Sequence, residues 1–357
     1  MSSADYKKEL DDLVQIVLAE GASDLHLSHE RHPTIRVSGF LSPLLKKKEL
    51  SEEDTAGLLS LMLTTKNMEI FLKDKEIDFA YSHPGHEARF RGNAYFQQGT
   101  ISIALRLVTK KIRTITELNL PPILEMFARK PQGFFLCVGP IGQGKSTTLA
   151  ALVDMINSER AEHIVTIEDP IEYLFEQKKS IIDQREVKTD TSDFATAIQF
   201  LFRQDVDVAM IGEMRGTETI SIAVTAAETG HLVLSTLHTN NAAQTIDRII
   251  DSFPANQQDQ IRIQLAGSLT GIFSQRLIPR LSGGLIPAYE LLINNSAVSN
   301  LIREKRIHEI NTVIETSSSE GMIDLNRSLA DLVKRGEISV ENAYLYSLNP
   351  KVLERLI

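Results

Sequence analysis

The stretch GFFLCVGPIGQGKSTTLAAL, residues 133–152, decides the fold of the larger part of this chain. It begins with a short apolar run, continues into a glycine-rich segment that fits GxxxxGK(S/T), and ends in a run typical of a helix. Glycines in this pattern let backbone N–H groups converge on phosphate oxygens, and the helix N-terminus faces the anion. The stretch therefore predicts a strand, a phosphate-binding loop and a helix.

The loop residues are expected to share the binding of a nucleoside triphosphate. Lys145 would neutralise the charge of the β- and γ-phosphates, and the Ser146 hydroxyl would bind Mg²⁺. The predicted nucleotide-binding set is Gly139, Gly142, Gln143, Gly144, Lys145, Ser146 and Thr147. A glycine-rich turn with an exposed lysine is the alternative, but the strand before the loop and the helix after it favour nucleotide binding.

Short apolar runs recur along the chain after about residue 123. FFLCV, HIVTIE, DVAMI and HLVLST alternate with longer helical segments. Buried parallel strands are nearly continuous apolar runs, and their alternation with helices favours an α/β sheet with helices on both faces. We therefore predict an α/β domain over residues 123–357, in which the part from 255 to 357 is mostly helical.

Acidic residues follow two of these runs. Glu168 and Asp169 end VTIED, and Glu213 follows DVAMIG. Ligands of open α/β sheets bind beyond the carboxyl ends of the strands, so Glu168 and Glu213 are expected to meet the phosphate loop at one edge. Many phosphate-loop enzymes hold magnesium with an aspartate at the end of such a strand, whereas here Gly212 occupies that position and Glu213 comes one residue later. Glu213 is a candidate metal ligand or catalytic base, and an acid that only caps a loop is the simpler alternative.

Two histidines lie at opposite ends of the run HLVLSTLH, His231 at its start and His238 at its end. Seven residues of strand span about 23 Å, so one phosphate cannot contact both side chains. His238 lies at the carboxyl end and is the better candidate for sensing the γ-phosphate. His231 is expected to meet another surface or to be structural.

The first part of the chain has a different pattern. A helical face over residues 4–20 is followed by alternating short strands, by a capped helix that begins after Ser51, and by two strands joined at Gln98-Gly99. We predict a small mixed α/β domain over residues 1–108. A polar, basic linker over residues 109–122 ends in two prolines and separates it from the second domain.

Arg89, Arg91 and Arg106 lie on the last two predicted strands of the first domain. Strand arginines usually face solvent. The alternative is that they reach a nucleotide held elsewhere, since an arginine supplied across an interface can stabilise the transferring phosphoryl group.

The 357-residue chain has a formal net charge of −9 and a single cysteine, Cys137. One cysteine excludes an internal disulfide framework and a CxxC zinc site. No apolar run approaches the ~18 residues of a membrane helix, and the N-terminus lacks a signal-peptide core, so we expect a cytoplasmic protein. The negative net charge disfavours nucleic acid as a partner. It therefore also disfavours a function as a ring that acts on DNA.

Six segments in one order carry a family resemblance: ASDLHL (22–27), GPIGQGKSTTLAAL (139–152), VTIEDPIEY (165–173), FRQDVDVAMIGEMRGTETI (202–220), TGHLVLSTLHTN (229–240) and AVSNLIREKRIHEI (297–310). The chain resembles the secretion ATPase superfamily over essentially its whole length, and most of all its type IV pilus retraction branch, which drives twitching motility. The assembly and type II secretion members usually carry an extra N-terminal domain and a four-cysteine zinc motif, neither of which is found in this sequence, so the retraction branch, with its accessory members, is favoured.

The resemblance implies an architecture and a set of partners. The fold would be a PAS-like N-terminal domain joined to a RecA-like ATPase domain, with ATP and Mg²⁺ as ligands. The chain would assemble as a homo-hexamer, work on an inner-membrane platform protein of the pilus (PilC-like), and lie at the inner face of the membrane through that machinery. A paralogous ATPase is a further implied partner.

The resemblance also implies roles for residues. It gives a Walker A loop at 139–146, an atypical Walker B with Glu213, and Arg91 and Arg106 as the arginines of the first domain that reach the nucleotide. An acidic box comprises Glu168, Asp169 and Glu172, and a histidine box comprises His231 and His238; Arg89 and Arg215 are secondary candidates. In this interpretation Glu168 activates the attacking water and Glu213 acts on the magnesium shell together with Ser146, although the reverse division between the two acids remains open.

Three positions depart from the family pattern. Gly216 replaces the aspartate of GEMRD, Val206 replaces the proline of QDPD, and Ser299 replaces the arginine of AIRNLIRE, a C-terminal motif tied to retraction. The nucleotide-binding motifs are intact, so hydrolysis is expected. The departures motivate the alternative of a regulatory nucleotide-binding subunit with little turnover.

Overall fold

The chain divides into two units, Met1–Lys110 and Lys111–Ile357. The computed structural model describes residues 3–37, 39–86, 88–108, 111–214 and 216–357. The first unit contains helices α1 (Ser3–Ala19), α2 (Glu52–Met62) and α3 (Thr65–Asp74), and strands β1 (Asp24–Ser28), β2 (Thr34–Val37), β3 (Phe40–Pro43), β4 (Glu76–Ser82), β5 (Arg89–Gln97) and β6 (Thr100–Val108).

The sheet of the first unit has the order β3-β2-β1-β6-β5-β4, and its paired strands are antiparallel. Helix α1 contributes the fully buried Leu13, Val14 and Val17 to a core that is shared with the sheet. Helix α2 begins where the sequence predicts it, because Ser51 and Asp54 form a reciprocal capping box. Strands β5 and β6 are joined at Gln98-Gly99, where both residues have positive φ.

The second unit carries the strands of the larger sheet and the helices that cover it. The strands are β7 (Gly133–Val138), β8 (His163–Glu168), β9 (Ile181–Glu186), β10 (Val208–Ile211), β11 (Leu232–Leu237), β12 (Leu269–Pro279) and β13 (Leu285–Ile293). The helices are α4 (Glu125–Ala128), α5 (Lys145–Glu159), α6 (Phe194–Leu201), α7 (Thr217–Glu228), α8 (Ala242–Asp251), α9 (Ala255–Ser268), α10 (Ser296–Arg303), α11 (Ile310–Thr316), α12 (Leu325–Lys334), α13 (Val340–Tyr346) and α14 (Pro350–Leu356).

The larger sheet has the order β13-β12-β7-β11-β10-β8-β9. Its pairings are parallel except for that of β12 with β13. Strand β7 lies between β12 and β11 in the interior of the sheet and is buried along its whole length. The helical region after residue 255 also supplies β12 and β13, two strands that the sequence pattern did not predict.

Strand β7 is apolar at every position because both faces of the sheet are covered there. Phe134, Leu136 and Val138 face the core on one side of the sheet, whereas Phe135 and Cys137 face the core on the other side. Burial of each large side chain contributes about 1.5–3 kcal/mol to folding. Cys137 is completely buried, and this burial raises the pKa of its thiol to about 12.

Across the described ranges, no helix combines the length and the hydrophobicity that crossing a bilayer requires.

Candidate nucleotide-binding site

The carboxyl ends of four parallel strands meet beside the phosphate loop. Strand β7 runs directly into the loop, and His238 follows the neighbouring strand β11. Glu213 comes two residues after the next strand, β10, and Glu168 is the last residue of the strand beyond it, β8. The sheet order therefore arranges the sequence-predicted residues at one edge, which is where open α/β sheets bind ligands.

The phosphate loop leads into α5 through Gly144, the N-cap residue of the helix. Gly139 has a φ of 145° and lies against strand β12, where a Cβ atom would come within 2.5 Å of the Gln275 carbonyl oxygen. A side chain cannot be accommodated there without moving backbone. The loop is thus shaped by close packing on β12 as well as by its own glycines.

Lys145, the first residue of α5, is buried. Its Nζ donates to the carbonyl oxygens of Gly139 and Pro140, each at 2.8 Å, and to Nδ1 of His238 at 3.2 Å. Burial lowers the pKa of the Lys145 ammonium. An ammonium group held by the loop's own carbonyls is positioned to exchange these contacts for phosphate oxygens.

His238 lies between the lysine and an acid. Its Nε2 is 3.7 Å from Oε2 of Glu213, whose side chain is 15% exposed. An ammonium group can only donate, so Nδ1 of His238 accepts from Lys145 and the ring proton of the neutral imidazole is on Nε2. Residues Lys145, His238 and Glu213 consequently form a continuous polar chain across β7, β11 and β10.

The position of Glu213 is fixed by the glycine before it. Gly212 donates its N–H to the Ile167 carbonyl at 2.8 Å and accepts from Thr236 Oγ1 at 2.6 Å. A Cβ atom at position 212 would lie 3.3 Å from the Ile167 oxygen and 3.5 Å from Cα of Glu168. A glycine therefore lets β10 end close to Glu168. The acid, Glu213, comes one residue after the position at which many phosphate-loop enzymes have an aspartate.

Glu168 is a buried carboxyl group with several hydrogen-bond donors. Thr166 Oγ1 donates to its Oε1 at 2.6 Å, and Gln184 Nε2 donates to the same oxygen at 3.2 Å. Burial raises the pKa of Glu168 to about 7 despite these hydrogen bonds, which favour the charged form. A carboxyl group with a pKa near neutrality can exchange a proton under physiological conditions.

The other two members of the acidic box are exposed. Asp169 and Glu172 lie in the segment after β8, and the backbone N–H of Glu172 donates weakly to Glu168 at 3.5 Å. Nearby, the Tyr173 hydroxyl and Thr147 Oγ1 share a hydrogen bond of 2.8 Å. This contact ties the acidic segment to the first turn of α5.

Gln275 on β12 is a buried residue of the site that the sequence reasoning missed. Its Nε2 donates to the Gln143 carbonyl at 2.8 Å, and its Oε1 accepts from Thr148 Oγ1 at 2.7 Å. The backbone N–H of Leu277 donates to Oε1 of Gln143 at 2.7 Å. Strand β12 thus holds the phosphate loop through two hydrogen bonds to Gln143 and holds the first turn of α5 through one to Thr148. Gln275 lies between Ser274 and Arg276 in SQRLIP, so the sequence held no signal that singled it out.

The loop that carries His238 is held by the same strand. Arg276 donates from Nη2 to both the carbonyl and Oδ1 of Asn240 at 3.1 Å, and Ser274 Oγ donates to the Asn240 carbonyl at 2.9 Å. Glu290 on β13 accepts from the Ala242 N–H at 2.7 Å, at the start of α8. Burial raises the pKa of Glu290 to about 7.

His231 lies away from this edge, before the amino end of β11. Its Nδ1 contacts the Ala226 carbonyl at 3.0 Å, and its ring packs edge-on against Phe202 at 5.5 Å. The structure thus separates the two histidines of the histidine box. Arg215 falls outside the described residues.

Two of the three departures have a local setting in the structure. Gly216 is the N-cap residue of α7, where an aspartate would accept hydrogen bonds from the first turn. Ser299, in α10, donates from Oγ to the Ala266 carbonyl of α9 at 3.0 Å. Nothing in the structure explains Val206 in place of proline.

The candidate arginines lie on the sheet of the first unit. Arg91 and Arg106 are directly opposite each other across β5 and β6, both exposed, and Arg89 is partly buried. Arg106 Nε donates to Oδ1 of the buried Asp24 at 2.9 Å. Burial alone would raise the pKa of Asp24, but hydrogen bonds from Ser23 and Arg106 outweigh it and lower the pKa. Asp24, in the motif ASDLHL, is a second residue that the sequence reasoning did not single out.

Comparison with known proteins matches most of the chain to a single family. Residues 2–311 match the family described as type II/IV secretion system protein. The chain is 42% identical over 335 residues to the type IV pilus retraction ATPase PilT of Pseudomonas aeruginosa, a match that covers 94% of this chain and 97% of the relative. It is 37% identical to the type IV pilus ATPase PilU of the same organism, with 98% and 91% covered.

A solved structure agrees with these matches. The crystal structure of the pilus retraction motor PilT with bound ADP superimposes with a TM-score of 0.90 at 41% identity, covering 96% of this chain and 98% of that one. The fold is accordingly that of a PAS-like N-terminal α/β domain and a RecA-like P-loop domain with a helical C-terminal region, as the sequence resemblance implied. The chain therefore belongs to the type II/IV secretion system protein family, in which it is an ATPase similar to PilT.

Proposed function

We propose that this chain is an ATP-hydrolysing motor that powers the retraction of type IV pili and thereby twitching motility. The observation that carries the proposal is the 42% identity to a pilus retraction ATPase over 94% of this chain and 97% of the relative. The phosphate loop, the two acids and His238 at one sheet edge support it, because a nucleotide motor needs these groups together.

Nucleotide binding is assigned to the phosphate loop and the N-terminus of α5. Backbone N–H groups of Gly142, Gly144 and their neighbours face the phosphates, and Lys145 neutralises their charge. The ADP bound in the similar PilT structure supports this assignment. The side chain of Gln143 is engaged with Leu277, so Gln143 contributes through its backbone.

The site residues also fit a magnesium ion. The Ser146 hydroxyl is exposed in the first turn of α5, and the carboxylate of Glu213 lies near the same edge. Hydroxyl and carboxylate oxygens are ligands that Mg²⁺ accepts. When bound, Mg²⁺ neutralises charge on the transferring phosphoryl group.

We assign the activation of water to Glu168 and the metal shell to Glu213. A base works best with a pKa near the working pH, and the pKa of Glu168 is raised to about 7 by burial. His238 contacts Lys145 and lies near Glu213, so we assign the sensing of the γ-phosphate to His238. Arg91 and Arg106, and Arg89 as a secondary candidate, would neutralise the charge that develops on the phosphoryl group.

The motor would work as a homo-hexameric ring at the inner face of the membrane. Hydrolysis around the ring would act on a PilC-like platform protein and dismantle the pilus. Deletion of the gene tests this directly: we expect cells with many pili and no twitching, whereas cells without pili would contradict the proposal.

A PilU-like accessory subunit with low turnover is the second candidate. The departures at Gly216 and Ser299 and the 37% identity to PilU favour it. Steady-state ATPase activity of the purified chain separates the two candidates. The motor requires turnover well above that of Lys145→Ala, and a rate equal to that of Lys145→Ala would favour the accessory role.

A further inference from the structure

The first unit contains a cluster of nitrogen and oxygen donors for which the nucleotide chemistry has no use. His83 and His86 belong to the turn HPGH between β4 and β5, and Asp11 lies on α1. Their donor atoms all lie within 4.8 Å of one another. Nε2 of His86 is 3.1 Å, and Nε2 of His83 is 3.8 Å, from Oδ1 of Asp11.

We propose that Asp11, His83 and His86 form a binding site for a divalent transition metal ion. Ligands at about 2.0–2.2 Å from Zn²⁺ in a tetrahedron lie roughly 3.3 Å from one another. The 3.1 Å between His86 and Asp11 is already close to this spacing, whereas the 3.8 Å between His83 and Asp11 would have to shorten. Imidazole and carboxylate together suit Zn²⁺ and its first-row neighbours, whereas Mg²⁺ prefers oxygen ligands alone.

His86 supplies an independent reason for this assignment. Its Nε2 is buried and, among the described residues, makes no hydrogen bond, even though it lies close to the Asp11 carboxylate. Buried polar atoms nearly always form a hydrogen bond, so a close contact between His86 and Asp11 that lacks hydrogen-bond geometry requires an explanation. A metal ion between His86 and Asp11 would satisfy both groups.

Gly85 keeps the space between the ligands open. A Cβ atom at this position would lie 3.2 Å from Oδ1 of Asp11 and 3.3 Å from Cε1 of His83. Any larger residue would therefore crowd two of the three ligands. The glycine also gives its peptide the freedom to rotate when a metal ion binds His83.

Metal binding changes the tautomer of His83. The Gly85 N–H donates to Nδ1 of His83 at 3.1 Å, which leaves the ring proton on Nε2 when the metal is absent. Coordination through Nε2 moves that proton to Nδ1, and the Gly85 peptide then turns its N–H away.

The surroundings of the cluster favour a bound ion with a water ligand. His83 is buried beside the Tyr81 ring, at 6.0 Å between ring centroids, whereas His86 and Asp11 remain partly exposed. A water molecule can therefore complete a tetrahedron from the open side. The positive charge of Lys7 also acts on His83 and would oppose the binding of a cation. The ion would link α1 to the turn that precedes β5.

The test uses the full-length chain, free of any affinity tag, stripped with a chelator and kept without nucleotide. Titration with ZnCl₂ in excess Mg²⁺ should give one ion per chain, and Co²⁺ should give the intense visible absorption of a tetrahedral site. His86→Gln and Asp11→Asn should each weaken Zn²⁺ binding at least about tenfold. His308→Gln, an exposed histidine of the second unit, is the matched control and should bind as the wild type does.

A thermal measurement gives a second readout. Zn²⁺ at saturating concentration should raise the melting temperature of the wild type and of His308→Gln, because ligands that bind only the folded state stabilise it. Gly85→Ala keeps all three ligands but fills the space between them, and it should lose both effects. The proposal is overturned if no Zn²⁺ binds, or if His86→Gln, Asp11→Asn and Gly85→Ala all bind Zn²⁺ as tightly as the wild type.

Discussion

Nζ of Lys145 and Nδ1 of His238 lie 3.2 Å apart, and this hydrogen bond joins the first residue of α5 to the residue that follows β11. The bond fixes the tautomer of the histidine, because an ammonium group cannot accept. Nε2 of His238 therefore presents its proton toward Glu213. Any change in the position of Lys145 on nucleotide binding is transmitted to the acid through this ring.

One substitution of His238 separates the contributions of its two ring nitrogens. His238→Asn keeps an oxygen that can accept from Lys145 but removes the N–H toward Glu213, and we expect nucleotide affinity within threefold of wild type. The hydrolysis rate should fall about 10²-fold, the usual effect of losing one donor in a charged active site. Fluorescent-nucleotide binding and steady-state ATPase assays measure the two quantities, with His308→Asn as the control. An unchanged rate in His238→Asn would remove His238 from the catalytic group.

Separate variants divide the roles of the two acids. Glu168→Gln should abolish turnover while the affinity for Mg²⁺-ATP stays near that of the wild type, because Glu168 is assigned to the water. Glu213→Gln should raise the Mg²⁺ concentration needed for half-maximal activity. Titration of ATPase activity with Mg²⁺ measures this. If Glu213→Gln lost turnover at an unchanged Mg²⁺ requirement, the roles would be reversed.

The buried Glu168 should make stability depend on pH. Its folded-state pKa is raised from 4.5 to about 7, so the folded chain binds the extra proton between these values and loses stability as the pH rises through that window. The full loss corresponds to about 3 kcal/mol in the free energy of unfolding. Urea unfolding at pH 5 and pH 8 should show a smaller decrease for Glu168→Gln than for the wild type. Some decrease should persist in the variant, because the pKa of Glu290 is raised in the same direction. Equal decreases in both proteins would contradict the assignment.

Gln275 should act as a positioning residue for the phosphate loop. Gln275→Leu has a similar volume but leaves the Gln143 carbonyl and the Thr148 hydroxyl without this partner, so we expect about a tenfold increase in KM for ATP, equivalent to ~1.4 kcal/mol. The kcat should change less than threefold, because Gln275 does not touch the reacting atoms. Gln275→Glu, which keeps the acceptor for Thr148, should recover part of the affinity. A fall in kcat at constant KM would count against this role.

Gly216→Asp should stabilise the second unit. The position is the N-cap of α7, its φ of −123° suits any residue, and nothing lies within 4 Å of an added Cβ atom. An aspartate there gains a few tenths of a kcal/mol over glycine as a cap, and about 0.3–1 kcal/mol from the helix dipole. Thermal unfolding measures the gain, and Gly216→Ala, which cannot cap, is the control. A melting temperature of Gly216→Asp at or below that of Gly216→Ala would contradict the capping explanation.

Four neighbouring parallel strands, β7, β8, β10 and β11, were predictable because they are nearly continuous apolar runs. The parallel edge strand β9, IIDQRE, is largely polar and was missed. HIVTIE and DVAMI correspond closely to β8 and β10, and the glycine-rich loop has a spacing that few other structures require. Strands β12 and β13 were missed because they pair with each other in an antiparallel hairpin and carry polar residues, Gln275 and Glu290, toward the site. Those residues are buried because they form hydrogen bonds with segments that are distant in sequence. A local sequence pattern does not reveal such contacts.

The sequence predicted the candidate site residues that lie at the carboxyl ends of predicted strands. Glu168 ends an apolar strand, and Glu213 and His238 follow apolar strands, so their common edge follows from the topology. The sequence alone does not explain Gly212. Its side-chain position lies close to the backbone of Ile167 and Glu168, two residues of β8 that come near it only in the folded chain. Likewise, Gly216 can be recognised as an N-cap residue only once the start of α7 is known.

Cys137 also has a practical consequence. It is the chain's only thiol, and it is sealed beneath the phosphate loop with its pKa raised to about 12. Maleimide reagents, which need an accessible thiolate, should leave it untouched in the folded protein. Cysteines introduced on the exposed face of β5 and beside His238 can therefore carry a donor and an acceptor dye without background labelling. The separation between the two units during each turnover then becomes directly measurable by energy transfer.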